Sequence, residues 1–386
     1  MQPLKILIIP GANAMRNPMC GNWINGLKRL GHSVVTLYWE NQKLTNQQLR
    51  DWGIDDGAHV FQFFGELSDS LRQTIVSTLG GQPDILFCWE SIPPLKILPK
   101  LTPLFPTAKA ILLIDSYPNA PHLLTELLHI LRYRKSDRLI DGYIFYSNAM
   151  RDAFCQHIPR ALKKPYLLMV HPFFESAFYS KEVSLTEDLQ LKRFDDKPHI
   201  IFTGNALKLW SRRYDNYAKD ALGEFLALLA SKDVHVFVNP VADLKGIKGL
   251  HHYPNFSNAN ILNGLFANYI SQFDAHLIVY REYNGTNRRR SARSLSTRFA
   301  FSLTSTCPII VSQTSQFVHE YWGDKPFGFM FKDVDDLVES LHNSQKLSVL
   351  RSNMEQVHRS FSFEAQIDRI HQLFKEVISM EQFISR

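Results

Sequence analysis

One feature limits the fold of this chain more than any other. Short apolar runs of strand length alternate with turns and helically spaced stretches, in two successive series. The first series has runs at 4–9, 33–39, 59–64, 84–88, 110–114, 142–146 and 166–170. Helical spacing lies between some of them, at 22–30, 71–79 and 149–157. Such continuous runs belong to strands buried on both faces, the habit of parallel sheets with crossover helices. Pro10-Gly11 and Gly31-His32 punctuate the opening β-α-β unit. A connector at 173–198 ends in Lys192-Arg193-Phe194-Asp195-Asp196-Lys197-Pro198. A second series then begins with a run at 199–203, the turn Gly204-Asn205 and a helix over 214–230. Runs at 234–238, 274–280, 307–311 and 327–331 follow, with helices over 333–342 and 363–383. The expected class is α/β, with two Rossmann-like doubly wound domains at 1–172 and 199–362. A terminal helical segment, 363–386, is placed to return to the first domain.

A chain of 386 residues is too long for a single core and suits two domains. With 45% hydrophobic and 21% charged residues it reads as globular. The net charge of +6 points weakly to an anionic partner. No apolar run approaches the ~18–20 residues that cross a bilayer. The first residues lead directly into a strand, so no signal peptide is expected. Cys20, Cys88, Cys155 and Cys307 are scattered, which argues against a disulfide framework or zinc site and for a reducing, cytoplasmic setting.

The stretch 280–312 carries the most chemical information. A polar loop with Asn284-Gly285 and the cations Arg288, Arg289, Arg290, Arg293 and Arg298 feeds a helix starting near Ser294 and Ser296. A loop entering a helix N-terminus at the carboxyl end of a parallel strand can hold a phosphate. Its N–H groups are free of intrahelical partners, and the helix dipole adds positive potential. The spacing of Gly11 and Gly21 does not match the dinucleotide fingerprint, so no nicotinamide or flavin role is expected. Asp333-Val334-Asp335 has a metal-diphosphate spacing but precedes a helix, so capping is the better account. His319-Glu320 lacks a second zincin histidine, and His251-His252 has no partner at ligand spacing, so no metal is expected. No Walker loop, serine-hydrolase elbow or nucleic-acid-binding motif occurs. The helix over 123–140 carries Leu123, Leu124, Leu127, Leu128 and Leu131 on one side, with Arg132, Arg134, Lys135 and Arg138 near its end. A domain helix with cations favouring its C-terminus is the expected reading, and peripheral contact with an anionic inner-membrane surface is the alternative.

The order of these pieces resembles the GT-B glycosyltransferases of the group-1, nucleotide-sugar-dependent type. Asn22-Trp23-Ile24-Asn25-Gly26-Leu27-Lys28-Arg29-Leu30-Gly31-His32-Ser33-Val34 is similar to that family's first helix and entry to strand two. Ile144 to Phe154 resembles its late strand-serine-helix unit, and His171-Pro172-Phe173-Phe174-Glu175 sits where such enzymes leave the first domain. Ile201-Phe202-Thr203-Gly204 resembles the opening of the donor domain. The resemblance implies two domains facing a cleft, and sugar transfer from a nucleotide-diphosphate donor to a glycan or lipid-linked acceptor. It implies no cofactor, no metal, and a UDP-sugar rather than a GDP-sugar. Donor contacts would come from Gly204, Lys208, Arg212, Arg213, Tyr253, Arg281, Ser294, Ser296, Thr297 and Arg298. Acceptor contacts would come from Gly11, Asn13, Asn22 and Trp23. Asp115, at a strand end, is the expected base if transfer inverts the anomeric centre. The family's paired glutamates fall at Arg293 and Phe301, so both carboxylates are missing, and Glu282 is the candidate replacement. That departure leaves two other readings open: a nucleotide-sugar epimerase-like enzyme, or a non-catalytic nucleotide- or glycan-binding protein.

Overall fold

A computed structural model describes residues 2–11, 18–39, 47, 49, 60–63, 67–90, 92–115, 117, 123–204, 209–210, 222–279, 293 and 295–380. The chain divides into two compact units, 1–172 with 363–386, and 173–362.

Unit 1 holds β1 (Lys5–Ile9), α1 (Pro18–Arg29), β2 (Ser33–Trp39), β3 (Val60–Phe63), α2 (Asp69–Leu79) and β4 (Ile85–Trp89). It continues with α3 (Ile92–Leu104), β5 (Lys109–Ile114), α4 (Leu123–Asp137), β6 (Gly142–Phe145), α5 (Asn148–His157) and β7 (Tyr166–Leu168). The strands form a 7-stranded sheet in the order β3-β2-β1-β4-β5-β6-β7, and every pairing is parallel. The strand order reverses between β1 and β4, so their carboxyl ends form the crevice where such sheets take ligands. β4, β5 and β6 are buried along their whole length, as their unbroken apolar runs require. Local capping chemistry fixes the helix starts. Ser68 Oγ accepts from Leu71 N at 3.2 Å, and Ser147 Oγ from Met150 N at 3.0 Å.

Unit 2 holds β8 (His199–Phe202), α6 (Leu222–Ala230), β9 (His235–Val238), β10 (Leu250–His252), α7 (Asn258–Leu262), α8 (Leu265–Ser271) and β11 (Ala275–Ile278). After these come α9 (Thr297–Ser305), β12 (Ile309–Ser312), α10 (His319–Trp322), β13 (Gly328–Phe331), α11 (Val334–His342) and α12 (Ser344–Val357). Its 6-stranded sheet runs β10-β9-β8-β11-β12-β13, again parallel, with the switch point between β8 and β11. The short strand β10 was not expected from the sequence, because three residues carry no readable period. Nor were α3, α7, α8 and α12, whose patterns are broken or short. The 173–198 segment packs on this unit: Asn268 receives Ser180 N at 3.1 Å and donates to Ser180 O at 2.7 Å, and Arg193 pairs with Asp274 at 2.8 Å.

A final helix, α13 (Ile367–Ser379), belongs to unit 1. Phe363 packs edge-on to Trp23 at 6.0 Å and lies directly over Gly26, where a Cβ would come within 2.2 Å of its ring. Gly26 is therefore a packing requirement of the returning segment. Arg369 Nη2 donates to Leu168 O at 2.6 Å, and Val377 covers Gly142. Asp333 accepts from Asp336 N at 3.0 Å, so the Asp-x-Asp sequence is used as a helix cap. All four cysteines are buried thiols, and burial pushes that of Cys88 up to about 12.

Candidate functional site

In unit 2 the site is built around the β8–β11 switch point. β8 ends at Phe202 and the chain continues through Thr203 and Gly204. A Cβ on Gly204 would meet the Phe202 ring at 2.2 Å, so only glycine lets the backbone lie against that ring. The Arg298 guanidinium lies 5.5 Å from the same ring, and its Nη1 donates to Val279 O, just past β11, at 2.8 Å. One side chain therefore spans the ends of both central strands and puts a fixed positive charge there. Ser296 is the N-cap of α9, yet its side chain makes no capping bond. Its buried Oγ has no hydrogen-bond partner among the described residues. An uncapped helix N-terminus, an orphaned hydroxyl and a guanidinium together suit an anion such as a diphosphate.

A buried relay holds this edge together. Thr203 Oγ1 is 2.8 Å from His276 Nε2, and His276 Nδ1 is 2.6 Å from Ser302 Oγ. Ser302 donates its hydroxyl to Arg298 O at 3.3 Å, so it accepts from Nδ1–H and leaves Nε2 to accept from Thr203. That tautomer requires neutral imidazole. Burial, reinforced by the Arg298 charge, pushes the His276 pKa down to about 3. Because the unfolded state takes up the proton near pH 6.5, the stabilisation is complete above that value and lost progressively as pH falls. At pH 5 the expected loss from this group is about 2 kcal/mol, and His276→Gln should flatten the stability profile between pH 7 and 5 in denaturant titrations.

The other donor candidates divide. Thr297 opens α9 beside Ser296. Lys208, Arg212, Arg213, Arg281, Glu282 and Ser294 lie outside the described residues. Tyr253 is buried, and its Oη accepts from Asn239 Nδ2 at 3.3 Å. Its ring belongs to an aromatic cluster with Phe266 and Tyr269, so its role here is packing. Phe301 packs between Phe173 (5.9 Å) and Phe266 (5.2 Å). An aromatic ring, not a carboxylate, therefore occupies this position of α9.

In unit 1 the carboxyl edge gathers Gly11 after β1, Asp115 after β5, Tyr146 after β6 and His171 beyond β7. His171 Nε2 lies 4.0 Å from Asp115 Oδ1, an ion-pair distance when the imidazole is protonated. The imidazole is 3% exposed and the carboxylate 42%, so a ligand can reach Asp115 while His171 sits behind it. Tyr146 packs on His171 in a tilted arrangement, with ring centroids 4.0 Å apart and an interplanar angle of 47°. Burial first, then the Asp115 charge, hold the Tyr146 phenol well above its ordinary pKa. Asn22 donates from Nδ2 to Pro172 O at 2.7 Å and so fixes the residue next to His171. Asn22 and Trp23 are both fully buried. Their burial departs from the acceptor contact expected of them: they support the edge from within. Asn13 lies outside the described residues. Sequence reasoning missed the pairing of His171 with Asp115 and the buried Glu90, which accepts from Tyr133 Oη at 2.8 Å at the end of β4. The signal available was a polar residue directly after each apolar run.

A histidine cluster occupies the opposite, amino-terminal edge of the second sheet. His235 Nδ1 is 2.9 Å from His251 Nε2. Asp195, His199 and His235 bring ligand atoms within 4.8 Å of one another. Both ring nitrogens of His199 are engaged by backbone, Nε2 receiving Phe194 N at 3.2 Å and Nδ1 lying 2.7 Å from Lys197 O. The cluster is thus a hydrogen-bonded clasp for the 194–199 turn, with His251 pushed down to about 4 by burial and its imidazole neighbours.

No protein-family model matches this sequence, and no curated protein does. Solved structures do. A pneumococcal O-GlcNAc transferase, GtfA, solved with UDP and GlcNAc, matches 98% of this chain and 100% of its own at TM-score 0.63 and 8% identity. A glycosyltransferase from Rickettsia africae matches over 99% and 100% at TM-score 0.61 and 11% identity. A UDP-forming α,α-trehalose-phosphate synthase from Burkholderia xenovorans matches over 98% and 100% at TM-score 0.59 and 12% identity. The fold is that of the GT-B glycosyltransferases.

Proposed function

We propose that the chain is a GT-B glycosyltransferase that takes a UDP-sugar and transfers the sugar to a hydroxyl of a glycan or lipid-linked acceptor. The observation that carries this reading is the arrangement at the second sheet's switch point. Arg298 is anchored on Val279 O beside the uncapped start of α9 and the orphaned Ser296 hydroxyl. Uridine is favoured because GtfA was solved with UDP and the trehalose-phosphate synthase is UDP-forming.

In the reaction the sugar C1–O bond to the diphosphate breaks as the acceptor oxygen bonds to C1. The bond electrons leave with the diphosphate, and the acceptor proton must go to a base. Negative charge grows on the leaving diphosphate, where a fixed guanidinium and helix N–H groups stabilise it without reorganising. No metal or cofactor is assigned a role, because these groups supply the positive charge. Asp115 is proposed as the acceptor base of an inverting transfer, with His171 positioning it. Lys208, Arg212 and Arg213 remain proposed as further diphosphate contacts, and Glu282 as a substitute for the absent ribose carboxylate.

The test is calorimetric titration of UDP and GDP, followed by product analysis with UDP-sugars and a panel of acceptors. Saturable UDP binding, stronger than GDP binding, with sugar transfer supports the reading. No nucleotide binding overturns it. The aromatic Phe301 in place of a carboxylate favours a second reading, a nucleotide-binding protein without turnover. UDP binding with no transfer to any acceptor would select that alternative, and conversion of donor alone would select an epimerase.

A further inference from the structure

The helix α4 is built inside out. Its outward residues are leucines: Leu124 is 77% exposed, Leu127 54%, Leu128 52% and Leu131 51%. Its inward residues include Glu126, Tyr133, Ser136 and Asp137, all buried. At helical spacing Leu124, Leu128, Leu131 and Lys135 fall along one stripe, with Leu127 and Arg134 to one side and Arg132 to the other, and the exposed Arg138 follows directly after the helix.

Polar anchors hold that orientation. Tyr133 Oη donates to the buried Glu90 at 2.8 Å. Asp137 Oδ1 accepts from Tyr143 Oη at 2.5 Å and from Lys164 Nζ at 2.7 Å. Turning the helix to bury its leucines would leave these groups buried without partners, which costs more than the leucines would gain. The outward face is therefore an apolar stripe that the fold does not permit to turn in.

Both carboxylates of the helix, Glu126 and Asp137, are buried, so its outer face combines leucines with Arg132, Arg134 and Lys135, joined by Arg138 just past its end, and carries no negative charge. Arg134 Nε donates to His157 O at 2.9 Å and ties α4 to the turn after α5. That turn adds exposed Arg160, Leu162 and Lys163 to the same basic and apolar patch. Two copies of this chain meeting here would bring the six cations of each patch together with no acidic side chain from α4 between them, which disfavours a dimer. An anionic lipid surface satisfies both halves of the pattern, taking leucines into the acyl boundary and pairing cations with headgroups.

We propose that the α4 face docks unit 1 on the surface of an anionic membrane. Among the described residues no helix is long and apolar enough to cross a membrane, so the contact is interfacial. This inference does not depend on the donor reading.

The experiment is co-sedimentation of the full chain with vesicles of phosphatidylcholine plus phosphatidylglycerol, against phosphatidylcholine alone. Binding to the anionic vesicles should exceed binding to neutral ones by ~10-fold or more and weaken with salt. The set Leu124→Ser, Leu127→Ser, Leu128→Ser and Leu131→Ser should lower partitioning by ~10-fold or more. Arg132→Gln, Lys135→Gln and Arg138→Gln should each cost ~5-fold on anionic vesicles only. Thermal midpoints of both sets should stay at the wild-type value, since these side chains lie outside the core. Equal binding to both vesicle types, no binding, or unchanged binding by the serine set overturns the proposal. So does a collapse of the thermal midpoint, which would make the leucines structural. A wild-type dimer dissociated by the serine set, without vesicle binding, would replace the lipid with a second copy.

Discussion

Arg298→Ala is expected to lower UDP affinity by ~10- to 100-fold and transfer by ~100- to 1,000-fold. The two losses differ because charge on the leaving diphosphate is greater in the transition state than in the bound donor. The guanidinium also has a structural share, since it donates to Val279 O and lies over Phe202. Arg298→Lys separates the two contributions. Lysine keeps the charge but lacks the planar fork that can reach Val279 O and a phosphate together, so binding should be partly retained and turnover less so. Calorimetry with UDP, initial rates with a UDP-sugar and the thermal midpoint are the measurements. Wild-type UDP affinity in the alanine variant, with the fold intact, would remove the switch point from the donor site.

Asp115→Asn is expected to reduce kcat by ~100- to 10,000-fold while leaving UDP affinity unchanged, because the carboxylate belongs to unit 1 and the proposed donor site to unit 2. His171→Gln should give a smaller loss of the same kind, since the imidazole is behind the carboxylate and is not itself exposed. If the pair acts as a unit, the double variant should be little worse than Asp115→Asn alone. Additive losses would mean that His171 acts elsewhere, and a kcat within twofold of wild type in Asp115→Asn would move the base to another residue. A parallel fall in UDP affinity would instead report damage to the fold.

The parts of the β8–β11 edge that are local in sequence were legible in advance. Gly204 follows a strand, Ser296 precedes a helix, and Arg298 lies on that helix's first turn. The relay from Thr203 through His276 to Ser302 was not legible. Its members are 73 and 26 residues apart along the chain and meet only because β8 and β11 are neighbours. The expectation for Tyr253 failed for a similar reason. A tyrosine after a strand can face a ligand or a core, and here Phe266 and Tyr269 enclose it.

The amino-acid sequence by itself determined two series of parallel strands with helices between them, and the helix cap at Asp333. Those outcomes depend on periodicity and on bonds spanning a few residues, so short stretches of chain contain the whole cause. Only the tertiary structure decided that Asp115 stands before His171, and that α4 turns its leucines to solvent. The physical reason is that burial of a carboxylate depends on partners supplied by other elements. Tyr143 and Lys164 draw Asp137 inward, and the leucine stripe is left on the outside.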